Sequence, residues 1–415
     1  MHASPWRLMW VCLKRRFCTA DLIASRDPNK MEWPVSLRAS PASTTGHENV
    51  EPRPMKAAIL IPVLAGKDAV GADAMAMARI LEANGIQTRV FCDSAENAPI
   101  PTFQADELLD FAGGANDLVI HHLAISWPKA REILKRCKGF RVVKYHNVTP
   151  AEFFRDYSSQ HQAACESGRS ELPAIAKLGC ELYLGDSTYN IDELRALGVP
   201  MDRSGVLAPF HRVEEMIEAE ADLELVRALS DGARNFLMVG RLAPNKAYLD
   251  LIDAFSACAR MLDEPARLIL VGKVDARLSR YNEAVQERIR ELRLERHVCW
   301  INGASEAQLK AAYLASHAFL LLSQHEGFCV PLIESMALSV PVIARATTAI
   351  PETLGDAGIL WQEADPWLYA ASASRIFSDQ PLRADLQERG RRRYAEKFST
   401  RVLTRRFMEF LEPAL

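Results

Sequence analysis

The sequence predicts an α/β protein of two doubly wound domains facing each other across a cleft, and three observations carry that expectation. From Ala57 onward, short apolar runs alternate with stretches of helical period. The alternation lapses between Leu207 and Asp231 and restarts at Asn235. The 415 residues, 49% hydrophobic and 25% charged, are enough to bury two cores. Strands that alternate with helices build parallel sheets covered on both faces, and ligands of such sheets sit beyond the carboxyl ends of the strands. Two facing halves therefore create one cleft.

Residues 1–54 mix Arg, Ser, Pro and Trp without sustained period, and their one apolar patch, Leu8 to Leu13, is short for a signal-peptide core. A disordered leader is expected. Met55 immediately precedes the first globular run, so the leader reads either as a presequence or as an upstream extension of the reading frame. The first domain, 55–210, runs AAILIP, a helix over Asp73 to Ala83, TRVFC, LVIHH, a helix near Pro128 to Cys137, RVVKYH and ELYLG. A hinge is expected near Pro209 to Ala233. The second domain, 211–395, runs NFLMVGR, LILVG, VCWING, AFLLLS and VPVIA with helices between. In 396–415, Phe398, Val402, Phe407 and Leu411 lie near one helical stripe.

Composition removes several function classes. Fifty Lys and Arg against 53 Asp and Glu leave a net charge of −3, without the basic footprint of a nucleic-acid binder. Nine cysteines, an odd number with no C-x-x-C pair, predict a reducing, cytoplasmic compartment and no structural zinc site. No apolar run approaches the roughly 18 residues needed to cross a bilayer. There is no G-x-G-x-x-G fingerprint and no G-x-x-x-x-G-K-[ST] loop, which disfavours a nicotinamide oxidoreductase and a P-loop kinase. No Asp-x-Asp pair and no H-E-x-x-H occur, so no metal and no cofactor are expected.

Two segments of the second domain carry chemistry. In VGRLAPNK, a strand to Val239 turns at Gly240 and sends Arg241 and Lys246 from the loop ahead of a helix near Tyr248. Two cations over a strand's carboxyl end suit a diphosphate, Arg as a planar fork and Lys as a mobile point charge. The alternative is a solvated loop. In QHEGFCVPLIESMALSVPVIA, seven residues separate Glu326, on a loop, from Glu334, inside the helix that Pro331 starts. Gly327, Phe328, Cys329 and Val330 would present backbone amides at a positively polarised helix end. Such a carboxylate pair accepts bonds from sugar hydroxyls.

With these residues in view, VGRLAPNK, EGFCVPLIE, VPVIA and AIPETLGDAGIL, in that order and spacing, resemble the donor domain of the family 4 retaining glycosyltransferases. That resemblance implies the GT-B fold, two Rossmann-like domains across a cleft, and covers Ala57 to the C-terminus. AGKDAVGADAMAMARIL, YHNVTPAEFF and LGDSTYNIDELRALGV resemble a subgroup that builds bacterial surface polysaccharides, often from GDP-mannose. It implies a hexosyltransferase that needs no cofactor, takes a nucleotide sugar as substrate and acts on a glycan or lipid-linked acceptor. Arg241 and Lys246 would hold the donor diphosphate, Glu334 the ribose hydroxyls, and Glu326 with the amides of Gly327, Phe328 and Cys329 the transferred sugar. Cys329 stands where many members have Gly, which keeps the amide; a buried cysteine there is not read as a nucleophile. Lys273 would lie near the base pocket, between its loop and the VCWING strand. In this fold the C-terminal helix returns to the first domain.

The first domain supplies the other wall. The resemblance brings His146, after RVVKY, to the donor sugar near its reacting centre. His121 and His122 end the neighbouring strand, and alternation sends only one toward a given face, so one of them would line the acceptor side. Gly66 and Gly71 would approach the diphosphate, because only glycine allows close backbone contact. Asp68 and Asp73 read either as acceptor contacts or as helix caps, the cap being favoured for Asp73. Asp186 and Ser187 read either as cleft-floor contacts or as caps of the helix from Thr188.

The implied mechanism retains anomeric configuration. An oxocarbenium-like sugar forms while the leaving diphosphate, stabilised by Arg241, Lys246 and the helix dipole, accepts the proton of the attacking hydroxyl on the same face, with no flanking carboxylate pair. The alternatives are a UDP-sugar donor, an inactive homologue that scaffolds glycan assembly, and a nucleotide-sugar epimerase of the same fold. Lys129, Arg131, Lys135, Arg136, Lys138, Arg141 and Lys144 form a basic cluster opposed only by Glu132. It reads either as ordinary helix-dipole complement or as peripheral attachment to anionic lipid.

Overall fold

The computed structural model describes residues 54–66 and 68–415. The expected leader therefore lies outside the described residues except for Pro54. Each half is built on one wholly parallel sheet. In the first, the strands are β1 (Lys56–Leu60), β3 (Gln87–Cys92), β5 (Thr102–Gln104), β6 (Leu118–Leu123), β7 (Phe140–Tyr145), β8 (Leu182–Gly185) and β9 (Ser204–Val206). They lie in the order β5-β3-β1-β6-β7-β8-β9, while β2 (Val63–Ala65) and β4 (Ser94–Glu96) pair separately. The second sheet has β10 (Arg234–Val239), β11 (Ala266–Val271), β12 (Val298–Ile301), β13 (Ala318–Leu321), β14 (Val342–Arg345) and β15 (Gly358–Trp361), ordered β12-β11-β10-β13-β14-β15.

Both orders reverse direction once, between β1 and β6 and between β10 and β13. At such a switch point the following connections leave to opposite sides and open a crevice at the strands' carboxyl ends. The expected apolar runs form the central strands, and helices cover both faces of each sheet. The short strands β2, β4, β5 and β9 were missed because three residues cannot display a period. For the same reason the stretch read as irregular contains two short helices, Val213–Glu218 and Leu223–Leu229, the second capped by Asp222.

The two halves touch through side chains at the strand ends. Ser187 donates to the Gly327 carbonyl at 2.7 Å, Thr188 donates its amide and hydroxyl to Glu352, and His325 Nε2 lies 2.7 Å from Asn147 Oδ1. The last long helix, Thr400–Leu411, crosses back to the first half. There Phe407 packs edge-on against Phe210 and Arg406 donates to the Val206 carbonyl. A Cβ at Gly205 would fall 2.4 Å from the Phe410 ring.

Candidate active site

The switch point of the second sheet assembles the donor-side residues. Phe236 of β10 lies beside Ala318 of β13, so the loops that follow these strands leave side by side. They are stitched together at Asn245, whose carbonyl accepts from the Gln324 amide and whose side chain donates to the His325 carbonyl. This brings Lys246 and Glu326, 80 residues apart, into direct contact: Nζ is 2.6 Å from each carboxylate oxygen. Arg241 extends from the neighbouring turn, and among the described residues its guanidinium has no hydrogen-bond or ion-pair partner. Arg241, Lys246, Glu326 and Gly327 line a cavity of about 540 Å³ with His146 and Asp68.

The helix Val330–Ala337 starts at this cavity's edge. Cys329, at its N-cap, has φ 75° and ψ 77°, left-handed values that glycine adopts without strain, which accounts for glycine at this place in the family it resembles. Burial pushes the Cys329 thiol well above its ordinary pKa, leaving it a protonated, inert group. Phe328 is buried against Phe398, so its ring serves the core. Glu334 lines a second cavity, of about 210 Å³, with Gly66, Ala304 and Leu309. Its Oε2 accepts from the Tyr313 hydroxyl at 2.6 Å, and burial raises its pKa to about 6. Asp68 lines both cavities.

Several expected residues stand elsewhere. Lys273 is exposed and lines neither cavity; its carbonyl receives the Leu242 amide. Gly240 supplies a carbonyl to the Tyr248 hydroxyl and leaves no space for a side chain at Gly272, whose Cβ would sit 1.8 Å from that oxygen. Gly71 is the third residue of the helix Ala69–Ala83, and a Cβ there would meet the Ala65 carbonyl at 2.1 Å. Its close contact is with the chain itself. The cap of that helix is Asp68, which accepts from the Gly71 amide, and Asp73 is instead wholly buried.

The first half contributes a connected buried network. His146 follows β7 with Nδ1 3.0 Å from Asp186 Oδ2 and Nε2 2.9 Å from His122 Nδ1. Both of its ring nitrogens therefore already face protein groups, while the residue itself lines the larger cavity. Asp186 is also no cleft-floor ligand: it pairs with the buried Lys144. Burial alone would raise Asp186, but the charges of His146 and Lys144 outweigh it and hold the carboxyl below its ordinary pKa. Ser187, not Asp186, caps the helix Thr188–Ala196. His121 does not reach the acceptor side, because its Nδ1 donates to the Leu60 carbonyl and burial lowers its pKa to about 4. His122 is equally buried, behind His146.

The basic cluster also divides. Lys144 is in the core, Arg141 is fixed to Glu181, Lys129 pairs with Asp93 and Lys135 with Glu132. Arg136 and Lys138 are left exposed. Asn147, His325 and Glu352, which join the halves, were not singled out from sequence; only the polar residues just after strands hinted at them. Among the described residues no helix is long and apolar enough to cross a membrane, and all seven cysteines are free thiols.

This geometry, two facing doubly wound halves with cations and glutamates at one switch point, defines a protein of the GT-B glycosyltransferase fold. Residues 225–393, within the second half, match the family described as Glycosyl transferases group 1. The chain resembles polysaccharide mannosyltransferases. It is 25% identical over 154 residues to the O-antigen chain mannosyltransferase B of Escherichia coli, covering 37% of this chain and 39% of that one. It is 24% identical over 204 residues to the N-acetyl-alpha-D-glucosaminyl L-malate synthase of Bacillus anthracis, 48% of this chain and 51% of that one. The alignments thus span about half or less of these relatives. The solved structure of Anabaena HepE in complex with UDP and glucose superposes with a TM-score of 0.68 at 15% identity, covering 86% of this chain and 99% of that one. WaaG, a glycosyltransferase of lipopolysaccharide biosynthesis, superposes with a TM-score of 0.63 at 16% identity over 85% and 98%.

Proposed function

We propose that this chain is a hexosyltransferase that moves mannose from GDP-mannose to a glycan or lipid-linked acceptor in polysaccharide biosynthesis, with retention and without a metal on the diphosphate. The observation that carries the reading is that Arg241, Lys246 and Glu326 line the larger cavity and Glu334 the smaller one, with Asp68 lining both. In this reading Glu334 accepts the ribose hydroxyls, Arg241 and Lys246 take the diphosphate, and the sugar lies in the larger cavity against Glu326. A cation without a partner among the described residues, lining the same cavity as a second one shared with a carboxylate, is a site with charge to spare for an anion.

Transfer proceeds by loosening of the sugar–phosphate bond. The departing diphosphate carries the growing negative charge, and preorganised cations stabilise that charge more than they stabilise the ground state. The acceptor hydroxyl attacks from the same face and gives its proton to the departing phosphate oxygen. His146, fixed by Asp186, is part of the larger cavity's wall. The mannosyltransferases among the curated relatives support mannose. UDP in the Anabaena structure favours a second reading in which the donor is a UDP-sugar.

The test is a thermal-shift screen of nucleoside diphosphates and nucleotide sugars, without added metal, on protein beginning at Met55. Stabilisation by GDP or GDP-mannose that is lost in Lys246→Ala is expected. A response to UDP alone selects the second reading, and silence to every nucleotide overturns both in favour of an inactive scaffold. The stereochemistry is read from the anomeric proton couplings of the product. Contact with an anionic membrane, which rests on Arg136 and Lys138, is checked by vesicle sedimentation at low salt.

A further inference from the structure

Three side chains from separate parts of the first half converge behind His146. Asp73 comes from the helix Ala69–Ala83, His122 from β6, and His146 from the loop after β7. His122 Nδ1 and His146 Nε2 are 2.9 Å apart, and Asp73 Oδ2 lies 3.5 Å from His146 Nε2 and 3.7 Å from His122 Nδ1. A triangle with these sides has a circumscribed radius of about 2.0 Å, so one ion near its centre would be about one zinc–ligand bond length from all three atoms.

The surroundings are those of a ligand set. Asp73 is wholly buried, and its Oδ2 has no hydrogen-bond partner, a costly state for a carboxylate oxygen. Its other oxygen is anchored by the Phe210 amide at 2.7 Å. The far nitrogen of His146 is held by Asp186, the carboxylate–histidine arrangement that orients an imidazole toward a metal. His146 borders the larger cavity, which supplies an entry path. Two imidazoles and one carboxylate suit zinc and its transition-metal neighbours, not magnesium or calcium.

We propose that Asp73, His122 and His146 form a binding site for one divalent transition-metal ion of the zinc class. The ion would tie the first helix to the ends of β6 and β7 and would occupy His146 Nε2. It takes no part in leaving-group chemistry, so the proposal stands apart from the transfer reading.

Untagged full-length protein, stripped with a chelator, is titrated with Co²⁺ and followed by visible absorption. Uptake of one equivalent with the intense ligand-field bands of a four- or five-coordinate ion, displaced by Zn²⁺, is expected. X-ray absorption of the zinc form should fit two imidazoles with oxygen ligands. Asp73→Asn and His122→Gln should each weaken uptake at least about tenfold, whereas His161→Ala, outside the cluster, should not. No uptake, a thiolate-to-cobalt band, or uptake unchanged in His122→Gln overturns the site and leaves the three atoms sharing a proton. The wild-type spectra decide the question even if a variant fails to fold.

Discussion

Lys246 Nζ lies 2.6 Å from both carboxylate oxygens of Glu326, joining the loop after β10 to the loop after β13. The pair does two things at once. It holds the ammonium in one place at the mouth of the cavity, and it neutralises a carboxylate that is otherwise buried. In the proposed reaction an arriving diphosphate would share the lysine with Glu326 while Arg241 takes the remaining charge.

Replacing Lys246 by Ala should therefore cut turnover by roughly 10²- to 10³-fold, about 3 kcal/mol, as for other preorganised charge donors. Stability should fall as well, because Glu326 is left buried without its partner. Steady-state kinetics together with a urea titration separate the two effects. Unchanged turnover in a folded variant would remove Lys246 from the leaving-group site.

Glu334 supplies a pH signature. Its carboxyl is raised from 4.5 to about 6, so between those values the unfolded chain binds fewer protons than the folded one. Its contribution to stability thus falls as pH rises through that window. In the proposed reading nucleotide binding would have the opposite preference, since only the carboxylate would accept bonds from both ribose hydroxyls. Affinity should rise through about pH 6 and level off above it, being about tenfold weaker at pH 5. Calorimetry across this range should show the slope in wild type and a flat profile in Glu334→Gln.

Gly327 allows the halves to meet. A Cβ there would come 2.9 Å from Asn147 Cβ and 3.0 Å from the His146 carbonyl, with backbone on the other side that cannot swing away. Gly327→Ala should hold the cleft ajar, lowering kcat/KM by at least about tenfold, the scale of a 1.4 kcal/mol loss, while leaving the far-ultraviolet circular dichroism intact. A normal kcat/KM would show that the two loops need not touch during turnover.

The returning helix is a stability element. Phe407 is fully buried against Phe210, so Phe407→Ala should cost about 3–5 kcal/mol, seen as a lowered urea midpoint. Truncation before Thr400 exposes the same surface and should abolish activity or solubility. A soluble, active truncated protein would contradict this.

Much of the architecture was legible because strand and helix periods are properties of consecutive residues. The runs at Ala57, Leu118, Asn235 and Ala318 became β1, β6, β10 and β13, the four strands that flank the two switch points. That Arg241, Lys246 and Glu326 would lie close together was legible as well, since each follows the end of a neighbouring strand, whereas the donor-binding roles given to them and to Glu334 rest on the family resemblance. Lys144 was misread as surface charge, although it lies mid-strand in a sheet buried on both faces, where a lysine must find a partner. Its partner, Asp186, is 42 residues away.

The sequence by itself determined the two doubly wound halves and the placing of Arg241, Lys246 and Glu326 at strand ends, because local periodicity and the polarity of strand ends suffice for both. Only the tertiary structure decided what Asp73, His122, His146 and Asp186 do. Their meeting depends on which strands neighbour one another and on the registers between them, and no spacing along the chain encodes a contact between side chains that are brought together only by parallel pairing across the sheet.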